Sequence, residues 1–129
     1  MAETLKLYLI AALIFTAIDF VWLRFVARSM YQKYLSELLA PKPNLLAAVV
    51  FYVLFLVGML VFVIVPAHDH HTVLWATGYG ALFGFFTYLT YDLTNLATLK
   101  NWPLRLSLID IVWGSALSAA VAGLTVLVA

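Results

Sequence analysis

Three aspartates interrupt the long apolar stretches of this chain: Asp19, Asp92 and Asp110. An aspartate at the centre of a membrane-spanning helix costs about 2.5–3.5 kcal/mol on insertion scales, so it faces a bundle interior and has a partner or a task. Each is followed three positions later by a side chain with an N–H donor: Asp19 by Trp22, Asp92 by Asn95, Asp110 by Trp113. Residues i and i+3 share a helix face, which predicts that each carboxylate is presented beside an indole or an amide. The strings Ile18-Asp19-Phe20-Val21-Trp22 and Ile109-Asp110-Ile111-Val112-Trp113 agree at four of five places, which suggests equivalent roles.

Three carboxylates close together in a low dielectric cannot all be ionised without a counter-charge. Some must hold protons, pair with Arg24 or Arg105, or bind a cation. The chemistry open to them is binding or transport of a proton, a cation or a small, lipid-like solute. A desolvated carboxyl could instead serve as general acid or base on a lipid-like substrate, with Trp22, Trp113, Tyr88 and Tyr91 as an aromatic wall. Two alternatives involve no chemistry: a polar core that fixes helix register, and a structural partner of another membrane protein.

The elements that carry these residues follow from composition. Of 129 residues, 66% are hydrophobic and 10% charged, where a soluble domain is roughly a quarter charged. Mean hydropathy is +1.06. A net charge of +1 leaves no electrostatic footprint for nucleic acid. The absence of cysteine excludes disulfides and thiolate metal sites. The chain reads as all-α, a single transmembrane domain over 1–129 folded as a four-helix bundle. A span needs about 20 apolar residues, and four segments qualify: 4–27, 45–65, 72–98 and 104–128.

Local chemistry marks the span ends. Asn44, Thr72 and Asn101 are N-cap candidates, Pro103 suits a first helical turn, and Pro66 closes the second span. Between spans one and two, residues 29–40 carry Met30, Tyr31, Tyr34, Leu35, Leu38 and Leu39 at helical spacing, with polar residues opposite. The pattern predicts a short interfacial helix stopped by Pro41 and Pro43; the alternative is a plain extension of helix one.

Arg24, Arg28, Lys33 and Lys42 join spans one and two, and Lys100 and Arg105 join spans three and four; Lys6 alone marks the opposite side. Under the positive-inside rule both basic connections are cytoplasmic and both termini are outside. Asp19 then lies about 7–8 Å inside Arg24, Asp110 the same distance inside Arg105, and Asp92 about 12 Å inside Lys100. All three carboxylates therefore fall at similar depth in the cytoplasmic half.

Helix three carries a stripe of Ala76, Gly80, Gly84, Tyr88 and Asp92, bordered by Tyr91 and Asn95. Gly80 and Gly84 permit close approach of a neighbour and offer a surface for a homo- or hetero-oligomer. The expected site joins helices one, three and four, with helix two as a lipid-facing cover. Tyr8, Tyr31, Tyr34, Trp75 and Trp102 read as interfacial anchors. The His68-Asp69-His70-His71 turn has metal-ligand residue types, but a solvated loop is the favoured reading. No cofactor fingerprint is present, and no metal site is expected.

The run from Tyr91 through Asp92, Thr94, Asn95 and Lys100 to Asn101-Trp102-Pro103, followed by Asp110-Ile111-Val112-Trp113-Gly114, resembles the signature of a bacterial membrane family, domain of unknown function 2177. Asp19-Phe20-Val21-Trp22-Leu23 and the four-span layout fit it too. The resemblance implies a prokaryotic inner-membrane location and brings no established activity, so no catalytic residue carries over from it.

Overall fold

The computed structural model describes residues 2–39, 42 and 44–129. It consists of four long helices, α1 (Ala2–Leu35), α2 (Leu45–His70), α3 (Val73–Thr98) and α4 (Leu104–Val128). Three of them, α1, α2 and α4, are long and apolar enough to cross a membrane by themselves. The helix α3 is equally long but richer in hydroxyls. Its Thr77, Thr87, Thr90 and Thr98 donate to backbone carbonyls four residues back, at 2.6–2.9 Å. Those bonds satisfy the hydroxyls without a partner helix.

Side-chain oxygens of Asn44 and Thr72 accept from the amides of Ala47 and Trp75, each at 3.1 Å, as expected of N-caps. Asn101 does not cap α4. Its φ of 60° makes it the left-handed residue of the α3–α4 connection, a conformation Asn tolerates because its short polar side chain can bond locally. Pro103 takes the N-cap position instead.

Pro66 does not end the second span either. Ahead of it, Leu60–Ile64 form a π-helical turn in which the Val65 amide bonds to the Leu60 carbonyl. That wider turn absorbs the bond a proline cannot make, and the helix runs on to His70. The first span behaves similarly. A π-helical turn at Leu23–Ala27 leads without interruption into Arg28–Leu35. The segment expected to lie as an interfacial helix is thus continuous with α1, and its helix stops at Leu35 rather than near residue 40. The proposed stops Pro41 and Pro43 lie outside the described residues.

Packing is closest between α3 and α4. A methyl group on Gly80 would sit 2.7 Å from the Ser118 carbonyl oxygen and 2.8 Å from the Ala122 Cβ. One on Gly84 would overlap the Gly114 carbonyl and Ser118, and one on Gly114 would enter the Tyr88 ring. The glycine stripe expected to offer an oligomer surface is therefore occupied within the chain: Gly80 and Gly84 are buried against α4.

The larger apolar core unites Leu7, Ala11 and Phe15 of α1 with Leu117, Val121 and Ala122 of α4 and the second half of α2. A smaller cluster at the Lys/Arg-rich end joins Met30, Leu35 and Leu106. The aspartates lie between the two. In α2 burial is one-sided along its length: Phe55, Leu56, Met59, Leu60, Val63, Ile64 and Ala67 are buried, but nothing from Leu45 to Leu54 is.

Candidate functional site

The three aspartates are buried, Asp92 completely, Asp19 and Asp110 to 7% and 5% exposure. Helical rise and alternating helix direction bring them together, although they are up to 91 positions apart (110 minus 19). Asp19 and Asp110 line one cavity, and Ser107, one turn before Asp110 on α4, donates to the Asp92 backbone carbonyl at 3.4 Å.

Their hydrogen bonds run across helices, not along them. Tyr52 donates to Asp19 Oδ2 at 2.9 Å, and Trp113 Nε1 donates to Asp19 Oδ1 at 3.4 Å. Tyr31 donates to Asp110 Oδ1 at 3.4 Å. The pairings expected within each helix give way because Trp22 and Trp113 stack face to face, with centroids 4.2 Å apart and planes 6° apart. The stack fixes the plane of both indoles, and Trp113 then points its N–H at the carboxylate of the opposite helix.

Between these side chains lies a cavity of about 280 Å³. Asp19 and Asp110 form its floor. Its walls come from all four helices: Trp22 and Tyr31 of α1, Phe51 and Tyr52 of α2, Thr87, Tyr88 and Tyr91 of α3, and Trp113 of α4. Leu23, Phe51 and Tyr91 at the rim are exposed, so the cavity opens on the surface of the bundle. Tyr88 lies against the backbone of Gly114, where no other residue would leave room for its ring.

Of the residues singled out by sequence, Asp19, Trp22, Tyr88, Tyr91, Asp110 and Trp113 line this cavity. Asp92 is buried and Asn95 half-buried, and neither lines it. Both carboxyl oxygens of Asp92 are buried without a hydrogen-bond donor from the described residues. Ser107, the nearest hydroxyl, donates to the Asp92 backbone carbonyl (3.4 Å) and accepts from Trp102 Nε1 (2.8 Å). The expected counter-charges are elsewhere. Arg24 and Arg105 are exposed, and the ion pairs among the described residues involve only His68, with Glu3 and Asp69. Nor do the described residues hold a group of three or more His, Asp or Glu side chains suited to a metal ion, at His68–His71 or elsewhere.

Tyr31 and Tyr52 are contributions that sequence reading misassigned. Tyr31 was expected at the interface. On an uninterrupted helix, at about 100° per residue, its twelve-residue separation from Asp19 turns it about 120° away. The π-helical turn at Leu23–Ala27 takes up one extra residue, which brings Tyr31 to within about 20° of the Asp19 face. Tyr52 corrects the view of helix two as a mere cover. Its signal was present: it is the one hydroxyl-bearing residue of segment 45–65.

Fold and site together define a helical membrane protein with a cavity of aromatic walls and acidic floor. The chain matches the family described as a predicted membrane protein, domain of unknown function 2177, over residues 4–127, and it belongs to that family. No curated protein and no solved structure matches it.

Proposed function

We propose that the protein binds, and hands across or along the membrane, a small or lipid-like molecule in the cavity between its four helices. The observation that carries this reading is the cavity itself. A purely structural polar core would be closed over by side chains, whereas Asp19 and Asp110 line a cleft that opens on the bundle surface. This one has about 280 Å³ beside two buried carboxylates, close to the lower end of small-molecule sites. Asp19 and Asp110 are the polar contacts; Trp22, Tyr88, Tyr91 and Trp113 are the walls; Asp92 and Asn95 border the site on α3. Aromatic rings make up most of the lining, which suits holding a molecule, so binding or transport is favoured over catalysis.

The position in the cell belongs to the same proposal. The Lys/Arg-rich connections face the cytoplasm of a bacterial inner membrane, four helices span it, and both termini lie outside. The cavity then opens in the cytoplasmic half, within reach of the bilayer through Leu23 and Phe51.

The test is native mass spectrometry of protein released from its own membranes. Thr87 lines the cavity, and its hydroxyl bonds only its own helix, so Thr87→Trp fills the space without removing a bond between helices. Wild type should carry a bound small molecule or lipid that Thr87→Trp lacks at unchanged helicity. Identical adducts on both proteins would overturn the reading.

A further inference from the structure

The cavity has an imbalance that identifies its ligand's chemistry. Asp19 accepts from one donor on each oxygen, Tyr52 and Trp113. Asp110 and Asp92 together offer four carboxyl oxygens and receive one donor from the described residues, the Tyr31 hydroxyl. Asp92 is fully buried, and neither of its carboxyl oxygens has a donor among the described residues. Buried polar groups are otherwise hydrogen-bonded in the great majority of proteins. The side chains lining the cavity include no lysine, arginine or histidine.

We infer that the ligand is an organic cation, a protonated amine on an apolar body, whose ammonium group seats on Asp110 against the aromatic walls. The inference rests on the binding function proposed above and names its ligand class. An ammonium has donors only, three of them, and a positive charge; it supplies the donors that Asp110, which receives only the Tyr31 hydroxyl among the described residues, lacks. Indole and phenol faces attract a cation through their quadrupoles, most strongly where water is excluded. Trp22, Tyr88, Tyr91 and Trp113 present such rings around the acidic floor. An apolar body suits the rest of the wall and the exposed rim at Leu23 and Phe51.

Other cations fit less well. Calcium takes six to eight oxygen ligands, and magnesium demands a near-ideal octahedron; rings cannot supply these. A bare proton leaves about 280 Å³ of cavity without a use. An anionic or phosphate-bearing ligand would meet two carboxylates and no basic side chain.

The experiment measures quenching of tryptophan fluorescence, since Trp22 and Trp113 line the cavity, in nanodiscs of phosphatidylcholine. The probes are dodecylamine, which is protonated at pH 7, its neutral counterpart dodecanol, and dodecanoate. Dodecylamine should bind about tenfold or more tightly than dodecanol, with dodecanoate weakest. Asp110→Asn should abolish that preference while dodecanol binding persists. Tyr91→Leu, at an exposed position, should reduce it severalfold at unchanged helicity. Equal binding of amine and alcohol would overturn the cation inference and leave the proposed binding function standing. Binding of none of the three would overturn both.

Adding phosphatidylethanolamine to the nanodiscs separates two sources of the ammonium. Weaker apparent affinity for dodecylamine marks a lipid headgroup as the natural occupant. Unchanged affinity marks a free amphiphilic amine.

Discussion

Replacing Gly80 by alanine tests the packing that holds the site together, and Gly78 supplies an internal control two residues away on the same helix. A methyl group at position 80 would lie 2.7 Å from the Ser118 carbonyl oxygen, 2.8 Å from the Ala122 Cβ and 3.3 Å from the Ala119 Cα. Ordinary contacts begin near 3.4 Å, so α3 and α4 must separate by about 0.7 Å; the first and third neighbours are backbone atoms that cannot rotate away. A gap of 0.5–1 Å forfeits roughly a quarter to a half of the attraction between each facing atom pair. Overpacking of this kind costs about 1–3 kcal/mol. A methyl group at position 78 meets nothing within 4 Å. Both substitutions gain the same intrinsic helix preference of about 0.5–1 kcal/mol, which cancels in the comparison. Gly80→Ala should therefore be less stable than Gly78→Ala by about 1–3 kcal/mol in reversible sodium dodecyl sulfate unfolding followed by far-ultraviolet circular dichroism. Equal stability of the two variants would refute the close α3–α4 packing.

Tyr52→Phe should destabilise by about 1–2 kcal/mol in the same assay, because it removes a 2.9 Å bond to Asp19 and little volume; unchanged stability would contradict the bonding described for Asp19. Asp92→Asn keeps nearly the same volume, so stability should change by less than about 1 kcal/mol, whereas Asp92→Ala opens a cavity and should cost about 1–3 kcal/mol; equal losses would contradict the complete burial of Asp92. Asn101→Ala should cost about 1–2 kcal/mol through its positive φ, and Asn101→Gly almost nothing, again by detergent unfolding. A reporter fused after Ala129 that is active only outside the cytoplasm should be active, and activity confined to a cytoplasmic reporter would reverse the assigned orientation.

What the sequence disclosed was set by what a helix transmits regularly. Rise per residue is uniform, so the depths of Asp19, Asp92 and Asp110 could be computed from flanking charges, and the structure brings these residues together. Rotation is uniform only while the helix stays α. Two π-helical turns alter it, one placing Tyr31 in the site and the other letting Pro66 stay inside a helix that runs to His70. Met59 and Ala67, about 80° apart on a regular helix, are both fully buried for the same reason. The hydrogen-bond partners of the carboxylates were illegible because they come from other helices. Spacing within one helix indicates what can be adjacent; the Trp22–Trp113 stack decides where the indole N–H points. The use of Gly80 and Gly84 was ambiguous in the same way, since a stripe of small residues specifies close approach but not whether the neighbour lies in the same chain.

The uneven burial of α2 has a mechanical meaning. From Phe55 to Ala67 the helix is set into the core, and from Leu45 to Leu54 no side chain is fully buried, although Tyr52 packs against the core edge. The Tyr52 hydroxyl on Asp19 ties this stretch to the acidic floor. One wall of the cavity is therefore held by a few contacts, the Tyr52–Asp19 and Tyr8–Val53 hydrogen bonds and the Tyr52 ring on Phe15, while the opposite wall belongs to the closest seam of the protein, between α3 and α4. Loss of those contacts would loosen that wall without parting the seam, so the cavity and the bundle depend on different parts of the chain.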